Sequence, residues 1–209
     1  MTTFLNITMS LDGFVAGPNI TLDQPLGEGG EELHEWQLRL ASWRQQHGHE
    51  GGEAGADDDI SRQTTDRTGA FVMGRRMFSS GEGPWEDDPK ANGWWGDDPP
   101  FKRPVFVVTH HEREPLTLGT TTFTFVDGIE HAVLQAREAA DGKDVQISGG
   151  ADVAQQALDA GLLDELIIHV APQLLGGGVR LLDEVKPRSI ELIDAEESPF
   201  VTHLRYAVK

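Results

Sequence analysis

The stretch Val145–Gly161, VQISGGADVAQQALDAG, decides the fold class of this chain. A short β-rich run opens the stretch and ends at the pair Gly149-Gly150, because glycine weakens a strand and permits a change of direction. A helix is predicted from there to Gly161, which stands where helices commonly end in the left-handed conformation. A second β-rich run, Leu166–Ala171, follows. The order strand, helix, strand predicts two parallel strands with a helix packed on their sheet.

The same alternation of strands and helices continues outward from this stretch. Four β-rich runs and one amphipathic helix are predicted upstream, at Thr3–Met9, Ala70–Met73, Pro104–Thr109, Thr121–Val126 and, for the helix, Ile129–Ala140. Two runs near the end of the chain, Arg188–Ile193 and Phe200–Val208, are typical of an antiparallel pair. We therefore expect a single α/β domain over residues 1–209, with helices on the faces of a mixed, mostly parallel sheet.

Composition and charge exclude several classes of function. Asp and Glu total 35 against 17 Lys and Arg, and the formal net charge of −18 disfavours binding to nucleic acid or to an anionic membrane. The chain has no cysteine, which excludes disulfides, thiolate zinc sites and cysteine nucleophiles. No segment approaches the ~20 apolar residues of a membrane-spanning helix, and the first residues lack a basic signal region. A cytoplasmic protein is expected.

Three predicted strand ends carry residues that suit phosphate binding. They are Gly74-Arg75-Arg76, Thr109-His110-His111 and Ser148–Asp152. Ligands of open α/β sheets collect at the carboxyl ends of strands. Glycine there lets a phosphate approach the backbone, a helix N-terminus offers free N–H groups, and arginine forks onto phosphate. Each corner by itself is more typical of an ordinary turn, but the three together predict an extended ligand with several phosphates.

The sequence argues against two other kinds of site, a metal site and a Rossmann dinucleotide site. His110 and His111 are adjacent, and neighbouring side chains on an extended strand point to opposite faces, so we expect no metal site there. The pattern G-x-G-x-x-G does not occur in the chain, which argues against a Rossmann dinucleotide site.

The residues of several motifs, and the order in which the motifs occur, resemble those of the dihydrofolate-reductase-like family. Within that family they are similar to the C-terminal reductase domain of the bifunctional riboflavin-biosynthesis deaminase/reductase. The matching motifs are Met9–Gly13 (MSLDG), Val72–Arg76 (VMGRR), Val107–His110 (VVTH), Ser148–Ala151 (SGGA) and Gly161–Leu166 (GLLDEL), the last running on into Ala171–Gly178 (APQLLGGG). The resemblance implies a three-layer α/β/α fold, NADPH as cofactor, a small-molecule substrate and often a homodimer.

The resemblance also implies where NADPH would bind. In chain order the implied cofactor residues are Ala16 by the nicotinamide, Gly74, Arg75 and Arg76 at the phosphates, Thr109 and His110 by the adenosine half, and Gly149, Gly150, Ala151, Asp152 and Val153 at the pyrophosphate. Two positions depart from the family pattern. Met77 stands where the family often has threonine, and Ser148 stands where the riboflavin enzymes have an acid that contacts their ribosyl substrate. The second departure puts a riboflavin-pathway role in doubt.

Two segments, at about residues 18–68 and 79–103, fall outside the family pattern. We expect them to fold over the nicotinamide and to shape the substrate pocket, with Trp36, Trp85 and Ser148 in its wall and Trp94 or Trp95 as further candidates. The alternative is that they pad the surface or form a dimer contact.

The first of these segments has two local patterns. Apolar residues at three- and four-residue steps from Leu33 to Trp43 predict a helix over Glu31–His47. The acidic run Asp57–Asp59 predicts a solvated cap for a second helix that extends to Arg67.

The function expected from these features is hydride transfer from NADPH to a C=N or C=O group of a small substrate, with pterin- and pyrimidine-like compounds as candidates. The proton needed would come from Asp12, from Glu35 or from an ordered water. Asp12 also belongs to an Asp-Gly turn signature. The alternative function is a nucleotide-binding module without turnover, acting as a sensor or partner-binding protein. A dihydrofolate reductase proper is a third reading of the same motifs.

Overall fold

Strands and helices alternate through the middle of the chain. A computed structural model describes residues 1–183 and 185–209. In chain order the strands are β1 (Thr3–Ser10), β2 (Phe14–Ala16), β3 (Thr68–Gly74), β4 (Val105–Val108), β5 (Leu116–Leu118), β6 (Thr121–Val126), β7 (Asp144–Gly149), β8 (Glu165–Ala171), β9 (Val179–Arg180), β10 (Ile190–Glu197) and β11 (Thr202–Val208). The α-helices are α1 (Glu35–Leu38), α2 (Ala41–Gln46), α3 (Ala56–Arg67), α4 (Arg75–Ser79), α5 (Ile129–Ala139) and α6 (Ala151–Asp159).

The central sheet has nine strands in the order β10-β11-β8-β1-β7-β3-β4-β6-β5. Strands β8, β1, β7, β3, β4 and β6 are parallel to one another. At one edge β11 pairs antiparallel with β8 and β10 with β11, and at the other edge β5 pairs antiparallel with β6. Strands β2 and β9 form a separate two-stranded ribbon. The predicted mixed, mostly parallel sheet with an antiparallel C-terminal pair is confirmed.

Helices cover both faces of this sheet. On one face α5 and α6 bury residues such as Ile129, Val133 and Val153, which recur at three- and four-residue steps and therefore share one side of each helix. The opposite face is covered by α4 and by the segments of residues 18–68 and 79–103, with separate apolar clusters around Phe78 and Trp36. The predicted three-layer α/β/α architecture is thus confirmed. No helix in the described ranges is long and apolar enough to cross a membrane.

The single helix predicted over Glu31–His47 is wrong. The segment forms a short 3-10 turn, then α1, then α2, and the chain is extended at Leu40, where ψ is 142°. A β-bridge ties Leu40 to the loop after α2, and a continuous helix cannot make that bridge. The residue spacing nevertheless found the buried side, because Leu33, Trp36 and Leu40 are 0, 3 and 3% exposed.

The acidic run at the start of α3 is not the solvated cap that the sequence predicted. The helix begins after Gly55, whose φ is 145°, and no side chain caps it. Asp58 is buried and accepts hydrogen bonds from the Ser42 N–H (2.6 Å) and from Arg62. Burial raises the pKa of Asp58, but the hydrogen bonds from Ser42 and Arg62 outweigh it and hold that pKa below its usual value. Asp57 also points into the protein, towards the sheet.

A buried ion pair fastens the second segment, residues 79–103, to the end of β3. Arg75 donates through Nε to Ser79 Oγ (2.9 Å) and through Nη2 to Asp88. Its guanidinium carbon lies 3.2 Å from the centroid of the Trp85 ring. The Arg75 and Asp88 side chains are 8 and 2% exposed. Burial raises the pKa of Asp88, but hydrogen bonds from Ser79 and Arg75 outweigh it and keep that pKa below its ordinary value.

We predict that Asp88→Ala lowers the free energy of unfolding by about 3–5 kcal/mol, because it leaves the Arg75 guanidinium buried without a counter-charge. Urea denaturation followed by circular dichroism measures this change. The matched control is Glu82→Ala, which removes the partner of the exposed Arg76. The control should change the free energy by less than about 1 kcal/mol.

The effect of Asp88→Ala should also depend on pH. A carboxyl group with a depressed pKa in the folded state stabilises the fold above its unfolded pKa of about 3.9, and that contribution is lost as pH falls through the folded-state value. The difference in unfolding free energy between wild type and Asp88→Ala should therefore narrow in acid. Equal losses of unfolding free energy in Asp88→Ala and Glu82→Ala would contradict this account of the ion pair. A difference between wild type and Asp88→Ala that does not change with pH would contradict it as well.

Candidate functional site

One large cleft lies along the edge where the parallel strands end. Its volume is about 1620 Å³, which exceeds the roughly 300–1,000 Å³ of a typical small-molecule site. Because parallel strands end at the same edge, the ends of β3, β4 and β7 meet here. Every residue that the resemblance assigned to the cofactor lines this cleft, namely Ala16, Gly74, Arg75, Arg76, Thr109, His110, Gly149, Gly150, Ala151, Asp152 and Val153.

The corner after β7 presents a helix N-terminus to the cleft. Gly149 has a φ of 122°, a conformation that favours glycine. Gly150 precedes α6, and no side chain caps that helix. A Cβ added to Gly150 would meet nothing within 4 Å, so the backbone there is open to a ligand. The first N–H groups of a helix have no intrahelical partner, and with the helix dipole they attract an anionic group.

The corner after β3 holds two arginines with different surroundings. A Cβ added to Gly74 would lie 2.9 Å from Val153 Cγ2, so glycine permits the close approach of α6. Arg75 lines the cleft, but its Nε and Nη2 are used by the buried ion pair, and Nη1 is buried without a partner within the described ranges. Arg76 is exposed and pairs with the exposed Glu82. Arg76 is therefore the arginine that can turn towards a ligand at low cost.

The corner after β4 combines an anchored residue with an exposed one. The Thr109 N–H donates to the Val126 carbonyl (3.0 Å), and Thr109 Oγ1 accepts from the His111 N–H (3.2 Å). The His110 side chain is 89% exposed, and its Nδ1 lies 2.7 Å from the Asp127 carboxylate. Thr109 thus shapes the loop, while His110 stands at the rim of the cleft.

The floor of the cleft is a row of polar side chains on the central strands. Asn6 and Thr8 of β1, Gln146 and Ser148 of β7 and His169 of β8 line it. Alternate residues of a strand face the same side, and Thr8 lies opposite His169 in the β1–β8 pair. Sequence reasoning named only Ser148. Polar residues at alternate positions of otherwise apolar strands are the signal that could have found the others.

The segments of residues 18–68 and 79–103 form walls of the cleft. Trp36 of the first segment and Trp94 and Trp95 of the second line it. Trp85, predicted as a wall residue, does not, because its ring packs against Arg75. In the part of the chain that the structure describes, the buried side-chain polar atoms without a partner are Arg75 Nη1, Ser80 Oγ, Trp94 Nε1 and Trp95 Nε1, all in residues that line the cleft. Buried polar atoms are normally paired, so this wall suits a polar ligand.

The two predicted proton donors do not line the cleft. Asp12 accepts hydrogen bonds from the Ser10 hydroxyl (2.6 Å) and from the N–H groups of Leu175 (3.1 Å) and Gly176 (2.7 Å). The hydrogen bond from Ser10 lowers the pKa of Asp12 most. The carboxylate therefore ties the turn after β1 to the loop after β8. Glu35 is exposed and pairs with an arginine four residues further on (3.8 Å).

Comparisons with known proteins agree with this fold. The family model of the RibD C-terminal domain matches residues 2–204. A putative riboflavin biosynthesis protein from Shewanella sp. PV-4 has a similar structure, with 23% identity, a TM-score of 0.65 and coverage of 100% of this chain and 99% of that chain. A sequence comparison with curated proteins finds no match.

Two larger proteins have a similar fold, one a deaminase/reductase and the other a RibD protein. The diaminohydroxyphosphoribosylaminopyrimidine deaminase/5-amino-6-(5-phosphoribosylamino)uracil reductase of Thermotoga maritima shows 13% identity and a TM-score of 0.56. RibD of Acinetobacter baumannii shows 20% identity and a TM-score of 0.51. The match covers 100% of this chain in both cases but 56% and 58% of those chains. The family model over residues 2–204 decides the assignment: this chain belongs to the RibD C-terminal domain family, with its dihydrofolate-reductase-like fold.

Proposed function

We propose that the chain is an NADPH-dependent reductase that transfers a hydride to a C=N or C=O group of a small pyrimidine- or pterin-like substrate. The observation that carries the proposal is the convergence of three phosphate-suited corners on one cleft with a polar floor. Membership of the RibD C-terminal domain family supports a reductase in general.

The residues around the cleft fit a dinucleotide with several phosphates. The start of α6 at Gly150 would hold the pyrophosphate through backbone N–H groups. Arg76, turned away from Glu82, and the unpaired Nη1 of Arg75 would meet the phosphate on the adenosine half. When bound, NADPH supplies the hydride from its nicotinamide. The task of the chain is then to hold the nicotinamide near Ala16 and over the polar floor.

The floor and walls of the cleft fit a planar ring with hydrogen-bonding edges. Trp36 and Trp94 offer apolar faces, while Asn6, Gln146 and Ser148 offer amide and hydroxyl groups. A neutral hydroxyl binds a ribosyl hydroxyl more weakly than a carboxylate does. Because Ser148 stands where the riboflavin enzymes have an acid, we infer that this chain prefers a substrate other than 5-amino-6-(5-phosphoribosylamino)uracil.

NADPH binding should respond in opposite directions to two changes of charge at the cleft. Arg76→Ala removes a cation at the end of β3 and should weaken binding about fivefold, whereas Asp152→Asn removes an anion at the start of α6 and should tighten it about as much. A single charge near a ligand phosphate at a solvent-exposed site contributes about 1 kcal/mol to binding, which corresponds to about a fivefold change in the dissociation constant. Quenching of tryptophan fluorescence in the purified protein gives the dissociation constants.

The control for the binding test is Lys186→Ala, which removes an exposed positive charge on a residue that does not line the cleft. It should leave the dissociation constant unchanged. Failure of both NADPH and NADH to bind at millimolar concentration contradicts the proposed function.

Turnover separates a reductase from a nucleotide-binding module without catalysis. The purified protein is mixed with NADPH and with a panel that includes dihydrofolate, 5-amino-6-(5-phosphoribosylamino)uracil and other pyrimidine- and pterin-type imines and carbonyls. We expect oxidation of NADPH, followed by absorbance, with at least one member. Ser148→Asp should raise kcat/KM for the ribosyl compound relative to wild type. Tight NADPH binding without oxidation by any member supports the sensor alternative instead.

We also infer a homodimer that forms through the edge strand β10. Ile190, Leu192 and Ile193 on this strand are 47, 54 and 47% exposed, and β10 is an edge strand whose outer side pairs with no strand of residues 1–183 and 185–209. Exposed apolar edge strands favour pairing with another chain. Light scattering should find a dimer for wild type and a monomer for Leu192→Lys. Leu134→Lys, which alters an exposed leucine on α5, is the control and should stay dimeric. A monomeric wild type contradicts this inference.

A further inference from the structure

Two histidines form a buried, hydrogen-bonded pair at the floor of the cleft. His169 on β8 and His203 on β11 are 3 and 5% exposed, and their Nδ1 atoms lie 2.6 Å apart. His169 Nε2 lies 2.8 Å from Asn6 Oδ1, and His203 Nε2 lies 3.0 Å from Asp57 Oδ1. The four side chains form one continuous line from α3 to the cleft, and Asn6 and His169 line the cleft itself.

The register of the sheet imposes this arrangement. His169 lies opposite Thr8 in the β1–β8 pair and opposite His203 in the β8–β11 pair, so the three side chains share one face. Trp36 covers them: its ring centroid lies 4.8 Å from that of His169 and 5.2 Å from that of His203, and its Nε1 donates to Thr8 Oγ1 (3.3 Å). The indole therefore shields the histidine pair on the side of the first segment.

With the Asn6 amide oxygen turned towards His169, the hydrogen bonds require one arrangement of the protons. A carbonyl oxygen only accepts, so His169 Nε2 carries a hydrogen towards Asn6 Oδ1, and the Nδ1 of a neutral His169 accepts. His203 Nδ1 must then donate to His169. Ionised Asp57 also only accepts, so His203 Nε2 carries a hydrogen as well. In this arrangement both nitrogens of His203 carry a hydrogen, and Nε2 donates to the Asp57 carboxylate.

The same side chains are fully paired with one proton fewer. Rotation of the Asn6 amide presents its NH₂ group to His169 Nε2, which then accepts. His169 Nδ1 in turn donates to His203 Nδ1, and His203 Nε2 still donates to Asp57. Both histidines are neutral in this arrangement. The network therefore has two complete hydrogen-bonded states that differ by one proton and one amide rotation.

We propose that this network stores one proton and that His169 delivers it to the substrate, a role that rests on the proposed reductase function. A substrate nitrogen or oxygen would take the place of Asn6 Oδ1 as the acceptor of the His169 Nε2 hydrogen. The cofactor would supply the hydride for the new C–H bond, the His169 Nε2–H bond would break as that proton bonds to the substrate, and the proton on His203 Nδ1 would move to His169 Nδ1. A proton from bulk water would later restore the network.

The two histidines have different neighbours. Burial, and then the nearby His203 and His34, lower the pKa of His169 to about 3. Asp57 from α3 and Glu196, the partner of His203 in the β10–β11 pair, are the acidic groups on the side of His203. His169 therefore passes a proton on by changing its tautomer, while His203 next to Asp57 holds the charge.

Hydrogen bonding, not metal binding, explains the short distance between the histidines. Two nitrogens that share a tetrahedral metal ion at about 2.0–2.1 Å lie roughly 3.3 Å from each other. The Nδ1 atoms of His169 and His203 are 2.6 Å apart. A proton fits between them and an ion does not.

NMR of the ring nitrogens tests the stored proton without cofactor or substrate. In the full-length protein with labelled histidine, we expect His203 near neutral pH to carry hydrogens on both nitrogens and His169 to carry one. The His203 signals are assigned by their loss in His203→Gln. Asp57→Asn should remove the charge from His203, because an amide does not stabilise an imidazolium as a carboxylate does. A neutral His203 in wild type, or no response to Asp57→Asn, overturns the proposal.

Steady-state kinetics with the panel of substrates tests delivery of the proton. His169→Gln retains an amide in place of the imidazole but cannot relay a proton, so kcat should fall about a hundredfold while the dissociation constant of NADPH stays the same. In Asp57→Asn the falling limb of the kcat–pH profile should move to lower pH, because the loaded state is lost earlier as pH rises. His131→Gln, an exposed histidine on α5, is the control and should behave as wild type.

The outcomes distinguish this proposal from the reductase function on which it rests. Wild type that oxidises NADPH with no member of the panel contradicts both. Turnover by His169→Gln at the wild-type rate, with an unchanged pH profile, contradicts the donor role and leaves the reductase function standing. A variant that only lost stability would show a lower urea midpoint without a shifted pH profile.

Discussion

The carboxyl ends of the parallel strands lie on one edge of the sheet, and the whole site depends on that constraint. It brings Gly74, Thr109 and Gly149 to the same cleft although they are far apart along the chain. It also aims the N-terminus of α6 into that cleft, since the helix begins directly after β7. The meeting of three glycine- or helix-bearing strand ends thus follows from strand direction, and it leaves open backbone N–H groups in the cleft with few positive side chains. This suits a chain with a net charge of −18.

The two faces of the sheet differ in the polarity of the side chains that they bury. The face under α5 and α6 is apolar, and packing of aliphatic side chains is sufficient to cover it. The other face has polar side chains on its central strands, and buried polar groups are costly unless they are paired. The segment of residues 18–68 supplies the missing partners, with Trp36 over Thr8 and Asp57 beside His203. This segment therefore covers the polar side chains of the sheet face and also forms one wall of the cleft.

Arg75 and Arg76 belong to one motif but have different surroundings in the structure. Both belong to the same strand-end pattern, and both were assigned to phosphate on that basis. In the structure Arg75 is 8% exposed and anchors residues 79–103 through Asp88, whereas the side chain of Arg76 is 67% exposed. Neighbouring residues on a helix point about 100° apart, so Arg75 packs against the second segment while Arg76 reaches the rim of the cleft. The motif indicated the corner, and only packing separated the two side chains.

The sequence by itself determined the parallel sheet, its flanking helices and the three corners of the cleft, because these features depend on local periodicity and on glycine at strand ends. It did not determine the break at Leu40, the position of Asp12 outside the cleft, or the line from Asp57 through His203 and His169 to Asn6. The bonds of that line join residues 146, 34 and 163 positions apart. Such contacts are decided by strand order and register, which place distant residues side by side and leave no local pattern in the sequence.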